Sequence, residues 1–151
     1  MTNITRHISS DNPRVMVVDG SRVARKLIAQ VLEKELPGVA VIACENSATV
    51  LRELQGGVID LITTALRLPD MDGLEFARHV REHAPQAYIP IVAVSGDVQE
   101  RLVRRELGDA VTDYFDKAQG FAALAEFIRG YVRPEPQGSG NVLSVEDSRV
   151  V

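Results

Sequence analysis

The sequence predicts an α/β fold in which helices cover both faces of a doubly wound parallel sheet. Short, unbroken apolar segments recur along the chain, beginning at 15–18, and strands that are buried on both faces have this composition. The longer segments between them carry apolar residues at helical spacing. Five such strand and helix units fit between residues 13 and 133, which indicates one domain.

Residues that favour helix caps and turns separate these segments. Ser21 is placed to cap the first helix, which Pro37 and Gly38 then end. The apolar residues that recur at helical spacing in this first helix are Val23, Leu27, Ile28, Val31 and Leu32. We predict strands at 15–18, 39–44, 59–64, 89–94 and 112–115, and further helices at 47–55, about 73–83, 98–107 and 120–132.

The later helices follow the same rule, because each keeps its apolar residues on one side. The helix at 47–55 is closed by Gly56 and Gly57, a common C-terminal signal. In the second helix the apolar residues on one side are Val50, Leu51 and Leu54, and in the third the apolar positions are Leu74, Phe76, Ala77 and Val80. In the last helix we predict that the inward residues are Phe121, Leu124, Phe127, Ile128 and Tyr131.

The composition excludes several classes of function. The net charge is −4, whereas a nucleic-acid-binding surface is normally basic. Cys44 is the single cysteine, so we expect a small buried residue in a reducing cytoplasm rather than a disulfide. Residues 1–12 are polar, lack the apolar core of a signal peptide and predict a flexible arm. No segment approaches the roughly 20 apolar residues of a membrane span.

The residues after the last predicted helix indicate a linker and a repeat. Residues 134–141 are rich in Pro and Gly, a composition typical of linkers. The segment 142–151 then matches 15–24 at five positions in register. We interpret 142–151 as the truncated start of a second, similar domain, which makes an adjacent domain in the same chain a predicted partner.

Four segments resemble the receiver domains of bacterial response regulators, the CheY-like family, over about residues 14–132. The most specific is 60–75, where a Pro-Asp-Met-Asp-Gly turn follows an apolar strand. The other three stand in the family's order at 17–21, 89–96 and 113–117. The resemblance implies the flavodoxin-like sheet order 2-1-3-4-5 and a cytoplasmic role in two-component, or phosphorelay, signal transduction.

The resemblance also implies a specific chemistry at the carboxyl ends of the strands. In this family an aspartate that ends the third strand accepts a phosphoryl group from a histidine kinase. Magnesium is held by that aspartate and by an acidic pair after the first strand, and a lysine helps to neutralise charge. A serine or threonine hydroxyl and an aromatic ring then respond to the phosphoryl group.

This sequence departs from the family at the carboxylates. Ala65 stands at the phospho-acceptor position, because it ends the third strand and lies four residues before Pro69. Asp19 matches the first member of the acidic pair, but Gly20 stands where the second belongs. The repeat carries Asp147 at the corresponding place. A methyl group cannot accept a phosphoryl group.

The supporting residues of the family are retained. By the resemblance, Ser95 matches the hydroxyl position, Lys117 the lysine and Tyr114 the switch aromatic. With one carboxylate left, a direct ion pair between Asp19 and Lys117 is our hypothesis for how the pocket is held in one state without a metal.

We therefore predict a degenerate receiver, or pseudo-receiver, that is not an enzyme. Its Mg²⁺ binding is expected to be lost or weak, and it acts through protein–protein or interdomain contacts. The alternative is a phospho-switch in which a histidine kinase modifies a non-standard residue such as Asp70 or Asp72. A small ligand in the emptied pocket, and an engineered loss of the carboxylates, also stay open.

The predicted partners follow from the same resemblance. Besides the adjacent receiver domain, they are a histidine kinase and a second copy of this chain. The family commonly forms dimers through its fourth helix, fifth strand and last helix, and here the fourth helix, at 98–107, carries a cluster of three arginines. Neither nucleic acid nor a membrane is expected as a partner of this domain.

Overall fold

The computed structural model describes residues 12–85, 88–96 and 109–132 of the chain. Its strands are β1 (Arg14–Val18), β2 (Ala40–Cys44), β3 (Leu61–Ala65), β4 (Ile91–Ser95) and β5 (Asp113–Asp116). They form one sheet in the order β2-β1-β3-β4-β5, and every neighbouring pair is parallel. The helices in these described ranges are α1 (Arg22–Glu35), α2 (Ser47–Leu54), α3 (Gly73–His83) and α4 (Phe121–Val132).

This architecture confirms the predicted fold class and sheet order. Strands β3 and β4 begin two residues later than predicted, at Leu61 and Ile91. Just before β3, Asp60 and Arg14 are joined by two hydrogen bonds: the Arg14 N–H donates to Asp60 Oδ2 at 2.8 Å, and the Asp60 N–H donates to the Arg14 carbonyl at 2.8 Å. The predicted helix at 98–107, the linker at 134–141 and the repeat at 142–151 lie outside the described residues, as does the N-terminal arm except Asn12.

Alternation along the strands divides the core into two clusters, one on each face of the sheet. In β1, Met16 and Val18 belong to one cluster, whereas Val15 and Val17 belong to the other. Helices α2 and α3 supply the first cluster, and α1 and α4 supply the second. Burial on both faces explains why the strands read as continuous apolar segments.

Helix α1 is amphipathic, but it carries more apolar surface than the core covers. Ser21 is its N-cap, as predicted, because its side-chain oxygen accepts a hydrogen bond from the N–H of Ala24 at 3.2 Å. Ile28 and Leu32 are buried, whereas Val23 is 67% exposed and Leu27 is 45% exposed. Val23 and Leu27 are one helical turn apart, so they form a short apolar stripe that faces outward.

Cys44, at the end of the edge strand β2, is a buried residue, as predicted. Burial raises the pKa of its thiol to about 11, and the negative charge of Glu53 adds to the shift. In the ranges that the structure describes, no helix is long and apolar enough to cross a membrane.

Gly73, the first residue of α3, lies directly against the end of β3. Its N–H donates to the carbonyl of Leu66 at 2.8 Å, and a Cβ at this position would overlap the carbonyl oxygen of Ala65. Only a residue without a side chain permits this approach. Gly73 therefore sets how closely α3 follows the end of β3.

Replacing Gly73 with Ala is expected to destabilise the domain by about 2–3 kcal/mol, because the added methyl group must displace backbone atoms. Gly130→Ala is the matched control, since a Cβ there meets nothing within 4 Å. That helical substitution should stabilise by about 0.5–1 kcal/mol. Urea unfolding measures both changes, and a Gly73→Ala protein as stable as the wild type would contradict the close approach.

Candidate functional site

The parallel sheet brings the predicted site residues to one edge, at the carboxyl ends of its strands. Asp19 follows β1, Ala65 ends β3, Ser95 ends β4 and Lys117 follows β5. Val18 pairs with Thr64, so Asp19 and Ala65 are the next residues on neighbouring strands. Neighbouring strands lie about 4.8 Å apart, which places these two residues close together.

Asp19 is a buried carboxylate, 8% exposed, that organises the turn into α1. Its Oδ1 accepts a hydrogen bond from the N–H of Ser21 at 2.8 Å. Its backbone carbonyl accepts another from the Arg25 guanidinium, also at 2.8 Å. Asp19 thus has a structural role in the β1–α1 turn whatever else it binds.

The expected ion pair between Asp19 and Lys117 is not formed, so this prediction was wrong. In the described part of the chain, the contacts of these two residues do not include one between their charged groups. Lys117 is half-buried and begins a single 3₁₀ turn, where its Cβ lies 4.0 Å from the place of a Cβ on Gly96. Proximity at the strand ends did not determine the direction of either side chain.

Gly20, at the second position of the predicted acidic pair, lies against the loop that follows β3. A Cβ on Gly20 would stand 3.0 Å from Cδ and 3.1 Å from Cγ of Pro69. A side chain here would therefore require Pro69 to shift by a few tenths of an ångström. The β1–α1 turn and the β3–α3 loop are in contact at this point.

Ser95 and Tyr114 lie on the neighbouring strands β4 and β5. Ser95 is buried and pairs with Asp116 in the strand register. Tyr114 is half-buried, packs against the cluster that α2 and α3 supply, and has a buried hydroxyl oxygen. Ser95 ends β4, whereas Tyr114 is the second residue of β5 and pairs with Ala93.

Asp70, at the centre of the β3–α3 loop, binds the start of α2. Its carboxylate accepts hydrogen bonds from the N–H of Ser47 at 3.1 Å, the hydroxyl of Ser47 at 2.8 Å and the N–H of Ala48 at 3.1 Å. Asp70 is exposed, and the limited desolvation of its carboxylate raises the pKa, but these hydrogen bonds outweigh that effect and hold the pKa of Asp70 below its ordinary value. The carboxylate also faces the positive end of the helix dipole, which favours its charged form.

Asp72 and Thr64 are likewise engaged in local hydrogen bonds. Asp72 is the N-cap of α3, and its Oδ1 accepts a hydrogen bond from the N–H of Leu74 at 2.7 Å. Thr64 is buried, and its hydroxyl donates to the carbonyl of Ala65 at 2.8 Å. The cap confirms the interpretation of Asp72 as a turn or cap residue.

Magnesium is the ion that the resemblance implies at this edge of the sheet, and it requires oxygen ligands. The side chains at positions 19, 20 and 65 supply a single carboxylate, which already accepts a hydrogen bond in its own turn. Within the described ranges, no three His, Cys, Asp or Glu side chains lie close enough together to hold a metal ion. This donor set does not fit a resident Mg²⁺.

Two contacts at this edge of the sheet were not predicted from the sequence. The hydrogen bonds from Ser47 and Ala48 to Asp70 join residues 23 and 22 positions apart, and the hydrogen bond from Arg25 to Asp19 joins residues six positions apart. Asn46 caps α2 by accepting a hydrogen bond from the N–H of Thr49, and such a local cap can be predicted from the sequence. Nothing in the sequence near α2 indicates that Asp70 also binds its start.

The geometry described above agrees with a family model. The model for the response regulator receiver domain matches residues 15–129. The chain belongs to the response regulator receiver domain family. In this receiver, Asp19, Ala65, Ser95 and Lys117 lie at the carboxyl ends of the strands.

Curated relatives of this receiver are longer proteins. One is a protein-glutamate methylesterase/protein-glutamine glutaminase of Desulfotalea psychrophila, 31% identical over 129 residues, which covers 81% of this chain and 35% of that protein. Another is the cyclic di-GMP phosphodiesterase response regulator RpfG of Xanthomonas campestris pv. campestris, 30% identical over 68% of this chain and 27% of that protein. The chain spans about a third or less of the curated relatives that it matches.

Solved structures show the same fold. The chemotaxis response regulator CheY4 of Vibrio cholerae superposes with a TM-score of 0.68 at 20% identity, covering 80% of this chain and 98% of that chain. Response regulator TrrA of Thermotoga maritima, solved in complex with Mg²⁺ and BeF, gives 0.67 at 24% identity, covering 80% and 99%. At these identities the likeness concerns the fold alone.

A carboxylate placed at position 65 tests how close that position lies to Asp19. We compare Ala65→Asp with Ala65→Asn, which has the same shape without the charge. At pH 7 in the absence of divalent cations, the Asp variant should be less stable than the Asn variant by about 1 kcal/mol, because two like charges then face each other. Equal unfolding free energies in urea would show that the two side chains do not interact.

The hydrogen bonds of Asp70 predict a pH-dependent contribution to stability. Since its folded pKa lies below the ordinary value of about 3.9, the contribution is complete above that pH and is lost as the pH falls through the folded pKa. Asp70→Ala should therefore cost about 1–2 kcal/mol at pH 7 and much less near pH 2.5.

Asn46→Ala is the matched control for this measurement, because Asn46 caps the same helix through an uncharged amide. Its cost in the free energy of unfolding should change little with pH. A cost of Asp70→Ala that is as large at pH 2.5 as at pH 7 would contradict the charged cap.

Proposed function

We propose that this receiver takes part in two-component signalling as a phosphorylation-independent, non-catalytic interaction module. The observation that carries the proposal is Ala65, whose methyl group ends β3 at the position of the family's phospho-acceptor. Phosphoryl transfer to protein needs a nucleophilic oxygen, and a methyl group has none. Gly20 and the single carboxylate of Asp19 support the proposal, because they leave Mg²⁺ without its ligand set.

The neighbouring residues offer little to replace the acceptor. Each oxygen of Asp70 accepts hydrogen bonds from the start of α2, and Asp72 caps α3. The hydroxyl of Thr64 is buried and turned toward the carbonyl of Ala65. Phosphorylation of any of these three would cost hydrogen bonds that the residue already makes, so the alternative of a non-standard acceptor is disfavoured.

The surface of α1 supports a role in binding. Its outward apolar stripe, Val23 and Leu27, is flanked by the exposed basic residues Arg22 and Lys26. Exposed apolar side chains rimmed by charge are typical of protein contact surfaces. Candidate partners are the receiver-like domain that we infer to follow the linker at 134–141, a histidine kinase, or a second copy of the chain.

The test is intact mass and thermal melting of the 151-residue protein with Mg²⁺, with and without acetyl phosphate or beryllofluoride. We expect no added phosphoryl mass and no shift of the melting temperature, because both reagents need the acceptor carboxylate and the metal. A conventional receiver treated in parallel confirms that the reagents are active.

A gain of one phosphoryl mass by the wild-type protein would overturn the proposal. Asp70→Asn and Asp72→Asn would then identify the modified residue, since the gain disappears in the variant that lacks it. A melting shift with beryllofluoride alone would show that the edge still binds a phosphoryl mimic, which also contradicts the proposal.

A further inference from the structure

We propose that Asp70 is a latch that fixes the β3–α3 loop across the carboxyl edge of the sheet. The latch is the set of three hydrogen bonds from Ser47 and Ala48 to the Asp70 carboxylate. It holds the edge in one arrangement that requires neither a metal nor a phosphoryl group. This inference rests on the proposed function, because it describes how a receiver without phosphotransfer keeps a defined state.

The loop between β3 and α3 is a compact unit in its own right. The N–H of Leu68 donates to the carbonyl of Met71 at 3.1 Å, and the N–H of Gly73 donates to that of Leu66 at 2.8 Å. Arg67 and Asp72 form an isolated antiparallel bridge. These bonds make the loop a short hairpin-like projection with Pro69 and Asp70 at its tip.

The tip of the loop contacts two different elements. On one side, Asp70 binds the start of α2, which already has its own cap in Asn46. On the other side, the Pro69 ring lies against Gly20 in the β1–α1 turn. Pro69 and Asp70 are both exposed, so burial contributes little to holding the tip, and the hydrogen bonds of Asp70 carry that role.

The residue that Asp70 binds, Ser47, is the first residue of α2. Ser47 is fully buried, and its hydroxyl donates to Asp70 Oδ2 at 2.8 Å. A buried hydroxyl that lost this acceptor would be left without a local partner, which is unfavourable. The latch is therefore favoured from both sides, by the charge of Asp70 and by the burial of Ser47.

A latch and a simple helix cap predict different results at Gly20. If Asp70 only caps α2, its removal loosens the helix start and leaves the Pro69–Gly20 contact in place. If it is a latch, removal also frees the loop tip from Gly20. The contact can be followed in the intact protein by the nuclear Overhauser effect between the Pro69 ring protons and the Gly20 α protons.

The experiment compares the wild type, Asp70→Asn, Asp70→Ala and the control Asn46→Ala by NMR on the full 151-residue chain. We expect the Pro69–Gly20 signal to be strong in the wild type, weaker in Asp70→Asn, which keeps one acceptor oxygen, and absent in Asp70→Ala. Asn46→Ala should keep the full signal although it removes a cap from the same helix.

Equal signals in the wild type and both Asp70 variants would overturn the latch, and so would an equal loss in Asn46→Ala. If Asp70→Ala does not fold, an unchanged signal in Asp70→Asn decides against the latch and a reduced one decides for it. The acetyl phosphate assay is independent of this contact. A gain of phosphoryl mass would overturn the proposed function. An unchanged Pro69–Gly20 signal in the Asp70 variants, without a mass gain, would overturn only the latch.

Discussion

The parallel pairing of the strands is the constraint on which the rest of this structure depends. Because all five strands run in one direction, their carboxyl ends lie at a single edge, and residues far apart in sequence meet there. Helices on both faces bury the sheet, so polar side chains concentrate at that edge. Asp19, Ser95 and Lys117 are there for this reason, and so is Ala65, although it carries no chemistry of its own.

At this edge, backbone groups that helices and strands leave unpaired are satisfied by side chains from the connecting loops. Asp19 accepts a hydrogen bond from a backbone N–H of the β1–α1 turn, Asp72 accepts one from the start of α3, and Asp70 accepts one from the start of α2. Each is a carboxylate near the positive end of a helix or turn, where negative charge is stabilising. These three acidic residues thus support the loops of the domain, and this role requires no metal ion.

The helices and strands could be predicted from the sequence, but the contacts between loops could not. Strands were predictable because burial on both faces leaves a continuous apolar segment, and helices because burial on one side leaves a period in the chain. The caps Ser21 and Asp72 were predictable because a cap acts on residues two or three positions away. The latch and the Pro69–Gly20 contact were not, since they depend on the path of a loop relative to distant elements. The Asp19–Lys117 pair failed for a related reason: shared location does not fix side-chain direction. Val23 and Leu27 are exposed because neighbouring elements cover only part of α1. The spacing of apolar residues does not predict how much of a helix is covered.

The buried thiol of Cys44 has a practical consequence. With a pKa of about 11 and almost no exposure, this cysteine carries little thiolate near neutral pH and is shielded from reagents. A cysteine introduced at a chosen surface position would therefore react alone with a maleimide dye. The protein is in this sense a ready background for single-site labelling, so that distances between its loops and a bound partner become measurable by fluorescence or spin labels without first removing a native residue.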